Sequence, residues 1–145
     1  MELICQPASS EDVETLYRLN KELIDRYEDV ENIEYDKVLG WVRRKLEGSI
    51  GEYTCLRVDG EKAGYFHFLK NEDGSYELDD LYIFERFQNR GIGTKVIENC
   101  CRQADGPVYL FVFIRNGRAR ALYERLGFTT VETIRNSRLL MKRER

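Results

Sequence analysis

A chain of 145 residues, 42% hydrophobic and 34% charged, suits one compact domain spanning residues 1–145 with its own core, and is too short for two. Uninterrupted apolar runs such as Val108 to Ile114 fall far short of a bilayer span, and the start Met1, Glu2, Leu3 lacks a basic, apolar secretion signal, so a cytoplasmic protein without a membrane partner is expected. Four cysteines (Cys5, Cys55, Cys100 and Cys101) form no C-x-x-C pair and His67 is the lone histidine, which argues for reduced structural thiols and against a metal site.

Leu3 to Pro7 reads as a first strand. Ser9 and Asp12 then form a capping box, and Val13, Leu16, Tyr17, Leu23, Ile24 and Tyr27 repeat at helical spacing. A second helix runs from about Tyr35 to Glu47, with Val38, Leu39, Val42 and Leu46 on one face and Gly48 as its expected stop. Tyr53 to Val58 and Lys62 to Lys70 are strand-like and joined at Asp59-Gly60, a tight-hairpin signal; Asn71 to Gly74 turns the chain into a strand over Tyr76 to Phe84. Ile92, Val96, Ile97, Cys100 and Ala104 mark a third helix. Val108 to Ile114 is a buried strand, Arg118 to Leu126 a helix ended by Gly127, and Phe128 to Arg135 with Arg138 to Lys142 a hairpin about Asn136. The order βααβββαβαββ predicts an α/β fold with a mixed, mostly antiparallel central sheet flanked by helices.

Charge is unevenly placed. Residues 86–125 carry eight Lys and Arg against three Asp and Glu, a local +5 in a chain whose net charge is −3, so the remainder sums to −8. This basic island, with Arg86, Arg90, Lys95, Arg115, Arg118 and Arg120, suits phosphate groups, while the acidic remainder argues against nucleic acid. Inside the island Gln88, Asn89, Arg90, Gly91, Ile92, Gly93 and Thr94 stand between a strand and a helix. Glycines let the main chain approach an anion, and the first amides of a helix are unpaired donors at the positive end of its dipole. The dinucleotide fingerprint lacks its third glycine here, and the Gly-Lys-Ser/Thr of the nucleoside triphosphate loop is missing.

The spacing Gln-x-x-Gly-x-Gly after a strand resembles the pyrophosphate loop of the GCN5-related N-acetyltransferases. A second stretch agrees with it: Asn116 precedes Tyr123 by seven residues, and the run closes as Glu124, Arg125, Leu126, Gly127, Phe128. The resemblance implies a GNAT-like fold and acetyl-CoA as co-substrate. Residues 88–94 and Asn116 would hold it, and main-chain groups of Leu81, Tyr82 and Ile83 would pair with its pantetheine arm. It also implies direct transfer of the acetyl group to a primary amine in a ternary complex.

Such aminolysis needs a neutral amine, an outlet for its proton and support for the departing thiolate. In Glu77, Leu78, Asp79, Asp80, Leu81 strand alternation places Glu77, Asp79 and Leu81 on one face and Leu78, Asp80 and Tyr82 on the other. Glu77 lies eleven residues before Gln88, where the histone-acetylating branch carries its base; it is the expected base, through a water, with Asp79 the alternative. Both could instead be solvent-facing strand carboxylates. The branch that acetylates protein N-termini has its base five residues before the Asn, where this chain has Phe111, a departure that weakens that reading. The resemblance makes Tyr123 the acid; its structural alternative is core packing with Ala119 and Leu126. His67, in an aromatic run, reads as a packed or half-exposed strand residue.

The acceptor is expected to be a small-molecule or peptide amine. Glu22, Asp25, Glu28, Asp29, Glu31, Glu34 and Asp36 favour a cationic one, an acidic solvated helix surface being the alternative. A homodimer is expected only by analogy. The competing function is a non-catalytic acyl-CoA-binding sensor or regulatory module of the same fold.

Overall fold

The computed structural model describes residues 1–144. In chain order the elements are β1 (Leu3–Pro7), α1 (Val13–Tyr27), α2 (Tyr35–Ser49), β2 (Thr54–Val58), β3 (Glu61–Lys70), β4 (Tyr76–Ile83), α3 (Ile92–Gln103), β5 (Val108–Phe113), α4 (Gly117–Arg125), β6 (Thr129–Ile134) and β7 (Arg138–Arg143). That is the order read from the sequence. The strands make one mixed sheet in the order β1-β2-β3-β4-β5-β7-β6, with β4 and β5 parallel and β1/β2, β5/β7 and β6/β7 antiparallel. By internal packing the chain divides into two units, Met1–Tyr65 and the residues from Phe66 onward.

In the first unit, β1 and β2 pair from Leu3↔Val58 to Pro7↔Thr54. Leu16, Leu46, Leu56 and Tyr65 are fully buried, and each such side chain contributes about 1.5–3 kcal/mol relative to exposure. The capping box forms, and its acid does more than cap. Asp12 is buried and accepts hydrogen bonds from the Ser9 amide at 2.9 Å, the Lys62 ammonium at 2.8 Å and the Tyr65 hydroxyl at 2.6 Å. Burial pushes this carboxyl up, but the three donors outweigh burial and hold it below the usual aspartate range. Asp59 and Gly60 both take positive φ, 50° and 87°, as the expected two-residue hairpin turn requires. Gly48 does not stop α2, which continues to Ser49. A glycine ends a helix when it enters the left-handed region, and Gly48 stays out of it; in a final turn it only costs helix propensity, about 1 kcal/mol.

In the second unit, β5 alternates buried Val108, Leu110 and Val112 with Tyr109, Phe111 and Phe113 on the opposite face. β7 does the same with Leu139 and Met141 against Arg138, Leu140 and Lys142. The buried set joins Leu78 of β4, Ile97 of α3 and Phe128 into one core, and the inner side of α4 packs on it through Ala119, Leu122, Tyr123 and Leu126. Helices therefore cover one face of β5 and β7. Gly127, at φ 94°, ends α4, and Arg135 and Asn136, at 53° and 55°, make the final hairpin turn.

One backbone approach in this unit admits no side chain. A Cβ at Gly106 would stand 2.4 Å from the carbonyl oxygen of Gly74. Gly106→Ala is expected to lower unfolding free energy by about 1–3 kcal/mol, measured by urea denaturation, because one of two main chains must move.

Candidate active site

The site is built around a fork. β4 and β5 pair in parallel at Tyr76↔Val108 and Glu77↔Tyr109, whereas β5 pairs with β7 over six consecutive positions. The β4/β5 ladder thus ends at Glu77, and the two strands run on without pairing each other. A cleft at the carboxyl ends of parallel strands is where ligands enter open α/β sheets. Leu81, expected on the Glu77 face, packs instead against the core that holds Leu78.

Two helices begin at the open end of the fork. α3 starts at Ile92 behind Gly91, whose φ of 76° is the left-handed conformation that favours glycine; Asn89 also has positive φ, 64°. No side chain caps α3 and no acidic residue occupies its first turn, so the amides of Ile92, Gly93 and Thr94 keep their hydrogen-bonding capacity at the positive end of a twelve-residue helix. This is the arrangement a pyrophosphate fits. A Cβ at Gly93 would lie 3.9 Å from Ile83 and 3.8 Å from Leu122, ordinary contact distances, so the first turn of α3 sits between the end of β4 and α4.

The loop before α3 is fastened at both sides. The Gln88 amide nitrogen donates to the carbonyl of Ile83 at 2.9 Å. The Arg118 guanidinium donates to the side-chain oxygens of Gln88 and Asn89 at 3.2 and 2.6 Å. Two expectations are refined by this geometry: Gln88 and Arg118 shape the loop, and the carbonyl of Ile83 already accepts from Gln88. Arg86 and Arg90 both stand over the ring of Phe87, at 4.9 and 5.3 Å. Arg90 and Lys95 are exposed, flanking the start of α3.

Asn116 caps α4, its side-chain oxygen accepting from the Ala119 amide at 3.3 Å, and its amide nitrogen remains a donor. Tyr123, on the inner side of that helix, meets Phe128 edge-on at 5.9 Å between ring centroids. Burial, with a smaller push from the Asp80 carboxylate, raises its phenol to about 12. Core packing and a protonated hydroxyl therefore coexist in one residue.

The carboxylates of β4 separate by environment. Asp79 is bonded to His67, with Nδ1 to Oδ2 at 2.9 Å, and that histidine is buried. Asp80 accepts from the Tyr82 hydroxyl at 3.3 Å. Glu77 stands on the last rung of the β4/β5 ladder, beside Tyr109. The His67–Asp79 pair is a cross-strand contact that spacing along one strand does not reveal. Among the described residues no helix is long and apolar enough to cross a membrane, and no group of three or more His, Cys, Asp or Glu is placed to hold a metal ion.

Residues 14–128 match the Acetyltransferase (GNAT) family, and the chain belongs to that family. It is 28% identical over 97 residues, 64% of its length, to the spore coat polysaccharide biosynthesis protein SpsD of Bacillus subtilis (strain 168). That stretch is 33% of SpsD, so the chain spans about a third of the curated relative it matches. Among solved structures it resembles an acetyltransferase from Thermus thermophilus with a TM-score of 0.75 at 22% identity, over 100% of this chain and 98% of that one. It also resembles the PaiA N-acetyltransferase of Thermoplasma acidophilum in complex with coenzyme A, with a TM-score of 0.72 at 17% identity over the whole of both chains. At these identities the likeness establishes the fold.

Proposed function

We propose that this chain is an acetyl-CoA-dependent N-acetyltransferase that moves an acetyl group to a primary amine by direct attack in a ternary complex. The observation that carries the reading is the fork between β4 and β5, which opens toward an uncapped helix start shaped by Gly91 and flanked by cations. Bound acetyl-CoA supplies an activated acyl group that a neutral amine can attack. The amides of Ile92, Gly93 and Thr94, with Arg90 and the Asn116 amide, are suited to its phosphates, and the edge of β4 over Leu81 and Tyr82 to its extended arm.

Glu77 takes the proton that the attacking nitrogen loses, through a water. It sits at the apex of the fork on the face away from the core, while Tyr123 belongs to the helix on the core side. Base and acid thus address the fork from opposite faces. Tyr123 acts by hydrogen bonding to the leaving sulfur and not by full proton transfer. A phenol at about 12 is roughly 3.5 pH units above an ordinary thiol, so complete transfer would be uphill by about 5 kcal/mol.

Tyr123→Phe keeps the ring and its packing and deletes one charge-assisted hydrogen bond, worth about 1.5–3 kcal/mol. Turnover is expected to fall about 10- to 100-fold with KM for acetyl-CoA little changed, measured by steady-state thiol release. Calorimetry with acetyl-CoA followed by an amine panel tests the function as a whole. Micromolar binding with turnover of any amine supports the enzyme, binding without turnover supports the sensor reading, and absence of binding overturns both.

A further inference from the structure

The face of β5 and β7 opposite the core is suited to recognise something beyond the acetyl donor. Its rungs are Tyr109↔Lys142, Phe111↔Leu140 and Phe113↔Arg138, and the first continues across the fork to Glu77. Phe111 is 39% exposed, unusual for an aromatic at the middle of a strand paired along its length. The guanidinium of Arg138 lies over the Phe111 ring at 5.1 Å, and Arg138 has no carboxylate partner among the described residues. Lys142, over Tyr109 at 5.5 Å, differs from it: Glu144 already neutralises that ammonium at 2.7 Å. The face thus offers an exposed aromatic ring beside a cation without a carboxylate partner, two residues along β5 from the rung of the candidate base.

We infer that the acceptor is an amine with a flat apolar body and a carboxylate at the end remote from its nitrogen, the body lying against Phe111 and the carboxylate on Arg138. Phe111 stands two residues along β5 from the rung of Glu77, so the two ends of such a molecule address different rungs. Aromatic stacking fixes the plane of such a molecule and a guanidinium its anionic end, so the nitrogen is delivered to the apex of the fork. The orientation rests on the acetyl-transfer reading given above; the recognition of an aromatic acid does not. A polycationic acceptor is disfavoured at the Phe111 end of this face, where the Arg138 guanidinium would repel it. The acidic residues of α1 and of the segment leading into α2 are then a solvated surface.

The probes are 4-(aminomethyl)benzoate, its N-acetyl product, benzylamine and spermidine, each titrated by calorimetry into the full chain, with acetyl-CoA titrated separately. The acid and its acetylated product should bind, benzylamine at least tenfold more weakly, and spermidine weakest. Arg138→Gln should collapse the preference for the acid over benzylamine, and Phe111→Ala should weaken both ligands severalfold. Equal binding of acid and benzylamine, tighter binding of spermidine, or no binding of the acid or its product by the folded wild type overturns the proposal. The wild-type ligand comparison decides the matter even if a variant fails to fold. Loss of acetyl-CoA binding alone would instead strike the acetyl-transfer reading.

Discussion

Gly91→Glu is expected to abolish acetyl-CoA binding while leaving the chain folded. Gly91 sits at φ 76° immediately before α3, and a Cβ added there meets no atom within 4 Å, so the substitution causes no steric clash. Its conformational penalty is that of one non-glycine residue in the left-handed region, about 1–2 kcal/mol. Domains of this size have about 5–15 kcal/mol in reserve. What changes is the charge at the helix start: a carboxylate would occupy the end of the dipole that the phosphates need and would repel them at contact range. The loss should exceed about 100-fold in Kd, or 2.7 kcal/mol, by calorimetry. Gly91→Ala separates the two effects, since it adds the strain without the charge and should weaken binding far less. Unchanged affinity in Gly91→Glu would remove the loop from the cofactor site.

The second large effect concerns Glu77. Glu77→Gln preserves shape and hydrogen bonding on the last rung of the ladder but removes a proton acceptor. General-base contributions run to about 10²–10⁴-fold, so turnover at pH 7 should drop by about 100-fold or more while KM for acetyl-CoA stays close to wild type. The deficit should shrink as pH rises toward the acceptor's own pKa, because the amine then arrives already neutral. A fall equal at every pH would assign Glu77 to structure, and wild-type turnover would strike it from the mechanism. If Asp79 were the base, Glu77→Gln would be mild and Asp79→Asn severe. The latter also breaks the bond to His67, so the pH profile has to separate the two cases.

The order of elements was legible because its signals are local. Asp59-Gly60 and Asn136 name their turns through residues that tolerate positive φ, whereas the uninterrupted apolar run from Val108 reads as a buried strand and the structure buries only its alternate residues, leaving Phe111 exposed. Gly48 misled for the same reason: glycine permits a helix to end without requiring it. The candidate loop and Tyr123 were put forward because the spacing of their motifs resembles the family's, and spacing is a property that the sequence carries without the fold. The fork was not, because nothing in the side chains of β4 and β5 says that two good strands stop pairing after two rungs. Arg118 and His67 were missed as partners since each reaches across distant positions of the chain, to Asn89 and to Asp79. Alternation put Leu81 on the Glu77 face, whereas it packs against the core that holds Leu78.

Arg118 joins the loop at Gln88 and Asn89 to the first turn of the helix that carries Tyr123. A glycine-containing loop left untethered would sample many shapes, and an arriving ligand would have to freeze them, at about 1–2 kcal/mol for each residue fixed. Here one planar side chain holds two loop residues before any ligand arrives, so less of the attraction for phosphate is spent on ordering the protein. The same bond ties the position of the loop to that of the helix that bears Tyr123, so that a movement of either is felt by the other.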